Sequence, residues 1–119
     1  MRPPKYADVR VVIPVRYLCS HLVLLIRPGG SADDCPALLE EISASQALLS
    51  AENAVPPGER VAVETEGFSI WVTVDACEQR EGGYILTCAF DAGFRWRPEL
   101  WAPDHLYQIE PRKKAAGSS

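Results

Sequence analysis

An all-β barrel with a small α appendage is the fold class this sequence predicts, and three observations carry the prediction. Short runs rich in β-branched residues recur from Val9 to Phe90, most of them alternating apolar and polar positions. Turn signals separate them at Arg27-Pro28-Gly29-Gly30, Pro56-Pro57-Gly58, Gly67 and Arg80-Glu81-Gly82. After the last run, Phe94, Trp96 and Trp101 crowd a Pro-punctuated segment where short helical turns fit at Pro98 and Pro103. Five or six short strands with a terminal helical piece make a closed antiparallel sheet the economical architecture.

Residues 1–8 read as an irregular, Pro-containing, flexible lead. The domain itself spans 9–108, and 109–119 reads as a disordered basic tail ending Ala-Ala-Gly-Ser-Ser. Val9 to Tyr17 forms a first strand, with Pro14 confining it to an edge or a bulge because proline donates no ladder hydrogen bond. His21 to Ile26 is a second apolar run. In the next stretch Pro36, Leu38, Ile42, Gln46 and Leu49 follow Asp34 at spacings that fit a capped helix. After Pro56-Pro57-Gly58, Arg60 to Glu64 alternates, and Phe68 to Ala76 puts Phe68, Ile70, Val72 and Val74 on one face. Pairing Val72 with Phe90 and Val74 with Cys88 keeps two apolar faces together, leaving Arg80-Glu81-Gly82 as a three-residue hairpin loop.

With 119 residues, 47% hydrophobic and 24% charged, the chain suits one globular domain with one core. A net charge of −4 argues against the broad basic footprint of a nucleic-acid binder. Leu22 to Ile26 is too short an apolar run to cross a bilayer, and no apolar stretch follows Met1-Arg2-Pro3-Pro4-Lys5, so a cytoplasmic location is expected. Cys19, Cys35, Cys77 and Cys88 lack zinc-knuckle spacing and read as buried thiols; no metal and no cofactor are expected. No nucleophile–base–orienter set is visible, so catalysis is not expected. Glu40 and Glu41, as neighbours in a strand, point to opposite sides, and His105 reads as packing beside Trp101.

The stretch from Leu39 to Leu49, followed by Val55-Pro56-Pro57-Gly58 and an alternating strand, resembles the middle of a PilZ domain, the bacterial receptor module for cyclic di-GMP. That family writes an acidic residue or Asn, any residue, Ser, two of any kind, then Gly; Glu41, Ser43 and Gln46 stand at those places. A second family signature, two arginines separated by three residues, precedes the first strand. Arg10 fits the second arginine, while the first falls on Tyr6 with Lys5 beside it. The resemblance covers roughly Lys5 to Asp104. It implies a six-stranded antiparallel barrel with a C-terminal helix. It also turns 36–50 into a strand, a tight turn at Ser43 to Gln46, and a second strand.

The resemblance further implies a ligand-binding set of Lys5, Tyr6, Arg10, Glu41, Ser43 and Gln46. An arginine can fork onto a guanine edge or a phosphate, a tyrosine can stack on a base, and a carboxylate can accept from guanine N1–H. Some members of the family bind cyclic di-GMP. Others act through protein partners in motility, pilus, exopolysaccharide or secretion machinery, and the half-complete arginine pair aligns this chain with those. Phe94, Trp96 and Trp101 are the candidate partner-binding residues, because Trp and Arg are enriched at binding hot spots, or else they close one end of the core. From a different class, a small β-barrel module for another ligand or for single-stranded nucleic acid is the alternative.

Overall fold

The computed structural model describes residues 15–28 and 35–109. They form seven strands: β1 (Arg16–Ile26), β2 (Cys35–Ser43), β3 (Gln46–Ala51), β4 (Arg60–Thr65), β5 (Phe68–Arg80), β6 (Gly83–Phe90) and β7 (Tyr107–Ile109). All pairings are antiparallel, in the order β2-β3-β6-β5-β4-β1-β7, and β1 also pairs with β2. Six strands therefore close into a ring. β7 is a flap on the N-terminal part of β1.

The ring closes because β1 is long and changes partner along one edge. Arg16 to Leu18 pair with Ile109 to Tyr107, the Ser20 amide donates to the Asp104 carbonyl, and Leu24 to Ile26 pair with Glu64 to Ala62. The other edge pairs with β2 throughout, with one irregularity between Leu18 and His21. Burial alternates unbroken from Arg16 to Leu25 across that irregularity, so the two runs expected here, Val9 to Tyr17 and His21 to Ile26, are one strand over their described residues. The greater part of the expected first strand, 9–14, lies outside the described residues.

The 36–50 stretch is strand–turn–strand, not helix. Of the positions that gave the helical spacing, Ile42 and Leu49 point inward, whereas Leu38 is half-buried and Gln46 exposed; Leu39 and Ala47 fill the interior in their place. A register shift between Leu39 and Glu41 resets the alternation so that both Leu39 and Ile42 reach the interior. The same bulge puts the neighbouring carboxylates Glu40 and Glu41 on the outer side together, where Ser50 Oγ donates to Glu40 (2.6 Å) and Arg16 pairs with Glu41. They do not face opposite ways.

The β5–β6 hairpin has the expected pairs Val72–Phe90 and Val74–Cys88, but its loop is two residues long. A shift between Val74 and Ala76 moves the register by one, so Arg80 meets Gly83 and only Glu81 and Gly82 turn the chain. Gly82 takes φ 86°, which costs a residue without a Cβ little. Its neighbour Gly83 is required for another reason. A Cβ there would sit 2.5 Å from the Ala51 carbonyl oxygen, against which β6 is packed.

Inside the ring, Val23, Leu25, Leu39, Ile42, Leu49, Val61, Val63, Val72, Val74, Leu86 and Cys88 form one continuous core. Each fully buried aliphatic side chain contributes about 1.5–3 kcal/mol through removal from water. The expected C-terminal helical segment is not present among the described residues. From 91 to 106 the chain is irregular, with single turns at Asp91–Phe94 and Arg97–Leu100, each closed by one i to i+3 backbone bond. Pro103 supplies no amide to extend a helix; Trp96 joins the core instead, with Phe94 and Trp101 packed against it. No helix among the described residues is long and apolar enough to cross a membrane.

Candidate functional site

The Ser43–Gln46 turn joins β2 to β3 at one end of the ring. Ser43 is buried, and its Oγ accepts from the Gln46 amide at 3.2 Å. That bond is the local reason a serine ends β2: its hydroxyl satisfies the first amide of the next strand. The turn's carbonyls are used as well. Ala44 accepts from the Trp96 amide (3.0 Å) and Ser45 from the Phe90 amide (2.9 Å). Gln46, at the family's glycine position, is the first residue of β3, paired with Ala89, and its φ is not positive. An ordinary side chain fits there without strain.

Arg16 lies directly across from Ser43 in the β1–β2 ladder, and its guanidinium reaches Glu41 at 2.8 Å. Arg16, Glu41, Ser43, Gln46, Leu48 and Thr87 line a depression of about 210 Å³. The structure thus brings Glu41, Ser43 and Gln46 together and adds Arg16, which sequence reasoning missed. Its signal was available in principle, since Arg16 follows the strand-breaking Pro14. Only the register, however, reveals what it faces. Lys5, Tyr6 and Arg10 lie outside the described residues.

The chemistry of this corner is self-contained. Glu41 is the natural acceptor for a guanine edge, yet it already holds a cation. The Ser43 hydroxyl is spent on the turn.

The aromatic segment packs over the same end of the ring. Trp96 is 2% exposed, its Nε1 donates to the Trp101 carbonyl at 2.8 Å, and its ring meets Tyr17 edge-on at 5.3 Å. Trp101 stacks on Phe68 with ring centroids 4.5 Å apart, and Phe94 packs edge-on against Phe90. Phe94 and Trp101 are half-buried. Burial of Trp96 makes it a core closure in this conformation, not a surface anchor. Among the described residues the indole left most exposed is Trp71, which carries the Arg60 guanidinium over its ring at 4.9 Å.

Against Trp101 lies His21, not His105: the His21 and Trp101 centroids are 5.0 Å apart, edge to face. His105 instead occupies the turn after Pro103 with φ 59°. His21 Nε2 is 3.0 Å from Thr65 Oγ1, and its Nδ1 is 3.4 Å from an Asp104 carboxylate oxygen. Those are the residue types of a nucleophile, a base and an orienter. The hydrogen bonding reverses their roles. The Asp104 amide donates to Nδ1 at 3.0 Å, so in the neutral ring the proton sits on Nε2 and donates to Thr65. A general base needs the opposite tautomer. The space behind Phe68 and Trp101 is apolar and about 10 Å³, with no room for a substrate. We read this group as a clasp holding the 91–109 segment to β1 and β4.

Burial and the nearby Glu41 and Glu40 charges push the Cys19 thiol up to about 12. Burial, then Asp75 and Cys77, do the same for Cys88. Neither is a thiolate nucleophile at neutral pH. No cluster of three His, Cys, Asp or Glu side chains among the described residues is arranged to hold a metal ion.

The geometry thus defines a class: an antiparallel β-ring domain with a polar corner at the β2–β3 turn and an aromatic closure over it. Compared with known proteins, the chain matches no family model and no curated protein.

Proposed function

We propose that this protein is a PilZ-like six-stranded barrel domain that serves as a signalling adaptor, acting through protein contacts and not as a cyclic di-GMP receptor. The observation that supports this reading is the 2.8 Å Arg16–Glu41 pair beside the inward-turned Ser43. The two barrel-side groups that would meet the ligand are committed within the chain. To bind, the nucleotide would have to displace a guanidinium from Glu41 and a backbone amide from Ser43. With Tyr6 in place of the first family arginine, it would gain half the usual clamp in return. The processes such an adaptor serves are those of the family: motility, pili, secretion or exopolysaccharide production.

Isothermal titration with cyclic di-GMP, using wild type and Arg10→Ala, tests the proposal. Absence of binding heat at micromolar concentrations is the expected result. Micromolar or tighter binding that Arg10→Ala removes would show a receptor and overturn it.

A further inference from the structure

The outer face of β1 carries leucines where a solvated strand would carry polar residues. Leu18, Leu22 and Leu24 are 44%, 69% and 37% exposed. Across the β1–β2 ladder Leu22 faces Leu38 and Leu24 faces Pro36, so the stripe is two strands wide there. Towards Leu18 it is one strand wide, with Ser20 between Leu18 and Leu22 and Glu41 opposite Leu18. It opens into a groove of about 380 Å³ that Leu22, Pro36 and Leu38 share with Glu52, Glu81 and Tyr84 of the β2–β3 side and the hairpin tip. Contiguous apolar surface of this kind, rimmed by polar groups, marks interaction sites.

The rim is acidic. Glu52 and Glu81 line the groove, Glu64 lies opposite Leu24, and Glu40 stands two residues along β2 from Leu38. Arg80 also lines the groove but is paired with Glu78 at 2.6 Å, and Arg16 is paired with Glu41. Over the described residues carboxylates outnumber arginines two to one, and lysine is absent. A second copy would bring like charges together across the stripe, and an anionic membrane would be repelled. The surface complements a cation. From Leu18 to Leu24 the stripe is about 20 Å long at strand rise, which matches a helix of about 13 residues.

We infer that the Leu18–Leu22–Leu24 face, with the groove beside it, docks a basic amphipathic helix of a partner protein. This inference rests on the adaptor reading, to which it adds the surface and the chemistry of the partner. The helix lays leucine-type anchors at i, i+4, i+7 and i+11 along the stripe, with lysines or arginines reaching Glu52, Glu64 and Glu81.

The test is fluorescence anisotropy with a labelled leucine–lysine helix of about 14 residues built on that spacing, alongside an acidic counterpart and a scrambled one. Wild type is expected to bind the first alone. Leu22→Glu is expected to weaken binding at least about tenfold, and Glu52→Gln with Glu81→Gln several-fold. Because Leu22→Glu adds negative charge, plain electrostatic attraction predicts unchanged or tighter binding, and that result overturns the inference. Ala92→Glu, at the far end of β6 from the groove, adds the same charge and is expected to leave binding within about twofold; weakening equal to that of Leu22→Glu would also overturn it. No binding by wild type would overturn it, as would self-association that Leu22→Glu disperses. Cyclic di-GMP titration addresses the adaptor reading by itself. A receptor result fells that reading whatever the helix does, and a failed helix fells only this surface.

Discussion

Arg16 and Glu41 lie on adjacent strands, 2.8 Å apart, and close the polar corner from the β1 side. Arg16 is about half exposed while Glu41 is largely covered, so water screens the pair from one side only. Pairs of this kind contribute about 0.2–1 kcal/mol. A double-mutant cycle of Arg16→Ala and Glu41→Ala in urea is expected to give a coupling energy in that range, falling as salt is added. A coupling several times larger would mean that the corner is a structural keystone and not a filled site.

Ser43 is the more costly residue to lose. Replacing it by Ala leaves the Gln46 amide without its 3.2 Å acceptor, in a turn where Ser43 is buried and Gln46 itself is exposed. A loss of about 0.5–1.5 kcal/mol is expected from urea denaturation. Ser43→Thr keeps the hydroxyl and is expected to recover much of that loss.

Trp96 ties the aromatic segment to itself through the Trp101 carbonyl. Trp96→Phe removes the donor and part of the volume, and is expected to destabilise by about 1–3 kcal/mol. Acrylamide quenching provides a second readout: in the wild type the accessible fluorescence should belong chiefly to Trp71, and Trp71→Phe should abolish most of it.

At the hairpin, Gly83→Ala would force β6 away from the Ala51 carbonyl, which a Cβ would approach to 2.5 Å. We expect a cost of about 1–3 kcal/mol from the resulting backbone shift. Gly67→Ala, where a Cβ meets nothing within 4 Å, tests the other glycine constraint: its φ of 85° makes backbone strain the only penalty. Equal losses at both positions would argue against the steric account of Gly83.

The buried thiols set an alkaline limit. Cys88 is raised from 9.0 to about 12, chiefly by burial, so unfolding becomes favourable to deprotonation before the native state can ionise. Its contribution is complete below about pH 9 and is lost as pH rises from there towards 12. Stability measured across that window should fall, and Cys88→Ala, though less stable at neutral pH, should show a flatter decline. Native Cys88 should also resist thiol reagents at pH 8.

Much of the fold was legible because strand patterning is local. Val72 and Val74, and Cys88 and Phe90, alternate without interruption, and the pairs they form are those their faces demand. Legibility failed wherever a bulge inserted a residue. The shift near Glu40 put Leu39 and Ile42 on one face, three residues apart, and the shift after Val74 shortened the hairpin loop. A bulge changes which face a residue takes without changing its composition, so periodicity misreads it. The candidate site was half legible: Glu41, Ser43 and Gln46 are close in the chain, whereas Arg16 and His21 reach their partners only through pairings dozens of residues apart.

By itself, then, the amino-acid order determined the strand content, the turn at Ser43 and the hairpin register near Cys88, since each depends on neighbours a few positions away. Tertiary structure alone decided that β1 closes the ring, that Arg16 occupies Glu41, and that Trp96 goes inside while Leu22 stays out. Those outcomes depend on which strands share an edge. The interior has room for one face of each strand, and only closure of the ring settles which apolar side chains are left in water.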